Sequence, residues 1–231
     1  MISDAIADIR EGIARACARC GRDPRDITLV AVAKTFAAER VREAVEAGVF
    51  DIGENYVQEL QEKRAALDDA RIRWHFIGHL QSNKAKHLAG GVHLIHALES
   101  MSAATELDRR AAQAGVVQPV LVEVNTTGES SKFGVQPADT LRFVRSLAGL
   151  DHLRVDGLMT IGPFLPDPEG SRPMFRRLRM LRDEAAALGQ ANAPMPHCSM
   201  GMTGDYAVAI DEGATIIRIG TAIFGARRKP T

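Results

Sequence analysis

The sequence has few cysteines, no repeated CxxC pair, no net charge and no long uninterrupted apolar run, and each absence removes a class of protein. The three cysteines, Cys17, Cys20 and Cys198, form an odd set, which gives no basis for a zinc site. Cys17 and Cys20 resemble a CxxC motif. However, Ile2, Ile6, Ile9, Ile13, Cys17 and Cys20 recur every three or four residues, the stripe of an amphipathic helix, so core thiols are the better reading. Twenty-nine Lys and Arg balance twenty-nine Asp and Glu, leaving no overall field to gather nucleic acid or an anionic membrane. Neither is expected as a partner. The amino terminus carries acidic residues and no continuous apolar stretch, so neither a secretory signal nor a membrane span is expected. A reducing cytoplasm is the expected location.

What the sequence does contain is a regular alternation of short apolar runs and helical patterns. The 231 residues, 45% of them hydrophobic, suffice for one large core or two small ones. Ser3 is placed to cap a first helix and Gly21 to end it. Apolar runs at 27–33, 49–52, 73–77, 94–97, 120–125, 155–160, 196–199 and 215–219 then read as eight strands. Helical patterns at 38–47, 55–67, 82–88, 102–114, 137–147, 172–188 and 205–213 separate them. In the Arg-rich 172–188 segment, Met174, Phe175, Leu178 and Leu181 form the buried face and the arginines a solvated one. Helical crossovers imply parallel strands. Eight of them match a single (β/α)8 TIM barrel, an α/β fold preceded by an N-terminal helix, better than an open doubly wound sheet. No linker divides the chain, so residues 1–231 are expected to form one domain. The Pro- and Gly-rich stretch 163–173 follows strand six, where an active-site loop is expected.

Lys34 closes the first apolar run, which delivers a strongly basic amine to the end of a buried element. An ammonium there must find an anion, lose its proton or enter a covalent bond, of which an imine to an aldehyde is the most productive. Taken alone, a lysine that snorkels into solvent is the commoner outcome. Two glycine-containing strand exits change the balance: Cys198-Ser199-Met200-Gly201-Met202-Thr203-Gly204 and Arg218-Ile219-Gly220-Thr221-Ala222. Each follows an apolar run and opens a helical segment, the arrangement of an oxyanion cradle. In a closed barrel strand eight neighbours strand one, which brings both exits and Lys34 to the same carboxyl-terminal rim. Asn55, His79 and the residues after Asn125 belong to that rim too. His75 and His79 invite a metal reading, but no carboxylate or cysteine completes a ligand set. His79 is placed to cap the following helix or bond a loop carbonyl, and no metal is expected.

These residues resemble the pyridoxal phosphate homeostasis proteins, single-domain relatives of the alanine racemase barrel. The resemblance rests on Ala31-Val32-Ala33-Lys34-Thr35, on 51–59 around Gly53-Glu54-Asn55-Tyr56, and on 74–84 from Trp74 to Lys84. It continues in Gly157-Leu158-Met159, Ser199-Met200-Gly201-Met202 and 218–225. The family usually carries a proline soon after the Lys-Thr pair, where this chain has Phe36-Ala37, and the run before Thr127 varies. Both departures concern loop shape. The resemblance implies that pyridoxal 5'-phosphate, the vitamin B6 cofactor, is held as an aldimine on Lys34. It further implies that Ser199, Met200, Gly201, Gly220 and Thr221 surround the phosphate, that Asn55 is a cofactor contact, and that Arg218 faces the pyridine nitrogen. Read in isolation, Asn55 is an Asx turn or helix cap, and Arg218 is the partner of an acidic side chain at a helix start. Lys132 resembles a family motif too, as a second rim amine or a solvated loop lysine.

An arginine at the pyridine nitrogen carries chemical information, because a guanidinium donates a hydrogen bond there but does not accept the ring proton's place. The ring stays neutral, which makes the cofactor a weak electron sink. The preferred reading is a carrier and regulator of pyridoxal phosphate, monomeric, handing cofactor to apoenzymes or buffering it, with no turnover required. The alternative is an amino-acid racemase. That chemistry needs a second acid or base across the cofactor, for which the only tyrosines are Tyr56 and Tyr206. A class I aldolase barrel, with the lysine taking substrate directly, is a third and weaker reading.

Overall fold

Short runs of β-branched and apolar residues form the strands, which in a computed structural model close into a barrel; the structure describes residues 1–127, 133–163 and 165–226. The strands are β1 (Thr28–Val32), β2 (Asp51–Glu54), β3 (Arg73–Phe76), β4 (Leu94–Leu98), β5 (Gln118–Glu123), β6 (Leu153–Met159), β7 (His197–Ser199) and β8 (Ile216–Ile219). Each pairs in parallel with its successor, and β8 pairs with β1. Ala31 stands opposite Ile52 on one side and Ile219 on the other. Closure leaves no sheet edge among them.

The helices are α1 (Ile2–Cys20), α2 (Ala38–Glu46), α3 (Val57–Ala66), α4 (Ala85–Leu88), α5 (Met101–Gln113), α6 (Thr140–Ser146), α7 (Arg172–Ala186), α8 (Tyr206–Asp211) and α9 (Thr221–Phe224). They cover the outside of the barrel. The main core lies between the two layers and includes Ile52, Phe76, Ile95, Ile217 and Ile219 from the outward strand positions. A smaller cluster of Val30, Leu94, Ala97, Leu121, Met159 and Ile216 lies apart from it. On β1, β5 and β8 these positions alternate with the outward ones, as the period of two in a strand requires, whereas β4, whose register shifts between Ile95 and Leu98, breaks the alternation at Ala97. The alpha-helical stripe of α1 is buried at Ile2, Ile6, Ile9, Ile13 and Cys17, as its spacing predicts. No helix among the described residues is long and apolar enough to cross a membrane.

Two local expectations are corrected. Ser3 does not cap α1: the helix starts at Ile2, and the terminal ammonium of Met1 bonds Asp4 at 2.9 Å while Ser3 sits inside the first turn. Gly21 does end it, at φ 70°. The first strand stops at Val32, two residues short of Lys34. Thr35 has φ 68°, which no strand accommodates, and the Phe36 N–H returns to the Ala33 carbonyl at 3.1 Å. Lys34 therefore stands in a turn just beyond the strand.

Candidate functional site

The turn carrying Lys34 is held from below by α3. Lys63, only 5% exposed, donates from Nζ to the Ala33 carbonyl at 2.8 Å and to Glu54 at 2.6 Å. It also reaches Glu59 at 3.2 Å, and Glu59 accepts the Thr35 N–H at 2.7 Å. The residues immediately before and after Lys34 are thus tied to one buried ion cluster. Burial pushes the Glu54 carboxyl up from its ordinary range, with Lys63 opposing. Lys34 itself is half-buried.

The exits of β7 and β8 meet Lys34 from the other side. An added Cβ on Gly220 would lie 3.3 Å from the Val32 carbonyl, so the β8 exit runs directly against the end of β1. Phe36 and Phe224 hold the two loops together, with ring centroids 5.2 Å apart. The Arg218 N–H bonds the Gly201 carbonyl at 3.0 Å, which ties the two glycine turns to each other. The N–H groups of Gly201, Gly220 and Thr221 make no hydrogen bond among the described residues. Donors left open beside glycines are what an oxyanion requires. The Met200 N–H, by contrast, bonds the Ile216 carbonyl at 3.0 Å, and its side chain is fully buried in the core.

Ser199 and Arg218 belong to the barrel interior. Arg218 Nη1 donates to Ser199 Oγ at 2.6 Å and Nη2 to the Thr160 carbonyl at 2.8 Å. Burial brings the guanidinium down to about 10, with Glu123 and Asp205 opposing, so it stays charged at neutral pH. No carboxylate among the described residues forms an ion pair with it. The expectation of an acidic partner at a helix start is therefore not met. Ser199 Oγ also lies 2.9 Å from His96 Nδ1. Beyond it, His96 Nε2 is 2.9 Å from His75 Nδ1, and His75 Nε2 is 3.0 Å from Asp51. His75 is thus part of a polar chain through the barrel. Among the described residues His79 neither caps a helix nor bonds a carbonyl: Nδ1 lies 3.0 Å from Glu99 and the ring stacks on Phe133, centroids 4.1 Å apart. No metal-ligand cluster occurs among the described residues.

Asn55, on the β2 exit, has a buried Oδ1 without a hydrogen-bond partner among the described residues. An unsatisfied buried acceptor at a rim marks a place for a ligand group. Together with the open N–H groups and Arg218, it fits a phosphorylated ring bearing polar substituents. A cavity of about 440 Å³ at the opposite end of the barrel offers no comparable donors. Its guanidinia are engaged, Arg10 with the Gly48 carbonyl, Arg25 with Asp23 and Arg73 with Asp51.

The sequence reading assembled Lys34, Asn55, Gly201, Arg218, Gly220 and Thr221 on one rim, and the fold does bring these elements together. It missed His96, Lys63 and Glu123, and named Glu54 only within a rim motif, without its ion pair to Lys63. His96 was detectable as the one polar residue inside the apolar strand β4, and Lys63 as the residue four places after Glu59 on α3. Lys132 lies outside the described residues.

Fold and rim together define the class: a closed parallel barrel with a lysine just past its first strand and paired glycine turns after its last two. The model of the family "Alanine racemase, N-terminal domain" matches residues 6–228. A protein of Aquifex aeolicus named "Pyridoxal phosphate homeostasis protein" is 45% identical, covering 97% of this chain and 98% of its own. One of the same name from Escherichia coli K12 is 40% identical, covering 98% and 97%. PipY of Synechococcus elongatus PCC7942, solved with PLP bound, superposes with a TM-score of 0.84 at 32% identity, covering 97% of this chain and 100% of that one. The chain belongs to the pyridoxal phosphate homeostasis protein family.

Proposed function

We propose that this chain binds pyridoxal 5'-phosphate at the carboxyl-terminal rim and serves pyridoxal phosphate homeostasis as a carrier or regulator, with no turnover required. The observation that carries it is the meeting of three features on adjacent strands: the Lys34 turn, the open N–H groups of Gly201, Gly220 and Thr221, and buried Arg218. When bound, the cofactor supplies an aldehyde that an unprotonated amine captures reversibly. Lys34 is the amine that holds it. Gly201, Gly220 and Thr221 donate to its phosphate, with Ser199 and Met200 shaping the turn from the core side. Asn55 orients a ring substituent. Arg218 donates to the ring nitrogen and keeps it unprotonated, which disfavours carbanion chemistry. The family names and the PLP-bound PipY structure support this reading.

One observation weighs against the racemase alternative. Tyr206 presses its hydroxyl on Gly12 of α1, where an added Cβ would lie 2.0 Å from it. That hydroxyl belongs to the outer helical layer and is not available as a second acid or base at the rim. Tyr56 is 54% exposed at the start of α3.

The test is borohydride reduction of the PLP-saturated protein followed by peptide mass spectrometry. Label on Lys34, lost in Lys34→Ala, is expected; label retained elsewhere in that variant with unchanged PLP uptake would overturn the assignment. The same proposal makes the chain a cytoplasmic monomer, consistent with three free cysteines, that delivers cofactor to apoenzymes. A dimer in sedimentation, or a failure to reactivate any PLP-dependent apoenzyme, would count against that part.

A further inference from the structure

The polar chain inside the barrel joins β2, β3, β4, β7 and β8, and none of its inner members touches the rim. Asp51 begins it at the amino-terminal end, where Arg73 grips both carboxylate oxygens at 2.7 and 2.5 Å. His75 is 2% exposed, and His96 and Ser199 are fully buried. A buried histidine pair serving structure alone would need only to be hydrogen-bonded. This one is also directional.

The direction follows from what each end can do. A carboxylate only accepts, so His75 Nε2 carries the proton facing Asp51 at 3.0 Å;. In a neutral ring Nδ1 then accepts, so His96 Nε2 must be the donor across the 2.9 Å contact. His96 Nδ1 accepts in turn, and its hydrogen-bond partner among the described residues is the Ser199 hydroxyl at 2.9 Å. At the other end a guanidinium only donates, and Ser199 Oγ accepts from Arg218 at 2.6 Å;. Every donor in the series therefore points toward Asp51. Ser199 is left with its proton committed inward and its lone pairs turned to Arg218.

We propose that His75 and His96 are positioning residues for the cofactor site: His96 takes the Ser199 hydroxyl proton, so that Ser199 Oγ faces Arg218 as an acceptor and fixes its guanidinium. Two of its five N–H groups are spent on Ser199 and the Thr160 carbonyl, which fixes the plane of the guanidinium. The role rests on the reading of the rim as a pyridoxal phosphate site. It assigns Ser199 to Arg218 and removes its hydroxyl from the set of phosphate donors. The opposite polarity would need a proton on both ring nitrogens of His75; it would reverse the His75–His96 and His96–Ser199 bonds and leave those to Asp51 and from Arg218 unchanged;.

Two measurements test it. Long-range proton–nitrogen NMR of the wild-type histidine rings is expected to show His75 and His96 both neutral and protonated on Nε2. Either ring protonated on Nδ1, or a doubly protonated His75, would overturn the proposal, and this outcome does not depend on any variant folding. In His96→Phe, compared at equal thermal stability, PLP binding is expected to weaken about tenfold, the size of losing one hydrogen bond to a charged group. The absorbance and pH profile of the bound cofactor should shift as well. Ser199→Ala added to His96→Phe should weaken binding little further, because both break one chain. Affinity and spectrum both unchanged in a folded His96→Phe would overturn the positioning role. Borohydride label on Lys34 in the same variant separates this result from a failure of the Lys34 assignment.

Discussion

Gly201 shows how one residue serves both packing and binding. Its φ of 92° lies in the region that favours glycine, and an added Cβ would fall 2.6 Å from the Ala209 Cβ and 3.0 Å from the Tyr206 Cα. Glycine lets α8 close on the β7 exit while the Gly201 N–H stays open. Gly201→Ala is expected to cost about 1–3 kcal/mol through overpacking and strain, and to weaken PLP binding, as denaturant titration and PLP titration would show. The glycine was legible as a strand-to-helix turn. Its neighbours were less so: the same motif that marks Ser199 and Met200 as rim residues does not say that the Ser199 hydroxyl points inward or that the Met200 N–H is taken by Ile216. The first depends on His96 of β4, 103 residues away, and the second on Ile216 of β8, and neither is visible to a local motif.

Among the elements, α3 was legible as a helix but not in which side it buries. Its pattern from Val57 to Ala66 mixes charged and apolar residues without a clear apolar face, because Lys63 occupies a buried position. The reason is the ion cluster under the Lys34 turn, with Glu54 fully buried and Lys63 bridging it to the Ala33 carbonyl. Lys63→Met leaves Glu54 without its cation, and is expected to cost about 3–5 kcal/mol in chemical denaturation. In the fraction that remains folded, borohydride trapping at Lys34 should slow, since the carbonyl that anchors the turn has lost its donor. Strand β4 holds the complementary lesson. Its apolar run was read correctly as a buried strand, yet His96 within it became meaningful only when β3 and β7 supplied His75 and Ser199 on either side.

For the whole molecule, the balance of buried charge sets how stability follows pH. Burial pushes the Glu123 carboxyl from 4.5 up to about 7, reinforced by Glu99 and opposed by Arg218. Below pH 4.5 both the folded and unfolded states hold that proton; between 4.5 and 7 only the unfolded chain releases it, so stability falls across this window. The stability difference between wild type and Glu123→Gln should therefore decline by roughly 3 kcal/mol from pH 4.5 to 7 and stay level above it. A difference that is flat or rises over that range would contradict the burial. Asp51 has the opposite sign: burial disfavours its ionisation, but hydrogen bonds from His75 and Arg73 prevail and hold it down to about 2. Its contribution is present above its ordinary 3.8 and is lost as the pH falls toward 2. The sequence by itself determined the alternation of strand and helix, the parallel barrel and the presence of Lys34 and two glycine turns at strand ends, because these follow from local periodicity and residue chemistry. Only the tertiary structure decided that Lys63 anchors the Lys34 turn, and that Asp51, His75, His96, Ser199 and Arg218 form one line. Those relations join residues as many as 103 positions apart, and closure of the barrel is what brings them within hydrogen-bonding distance.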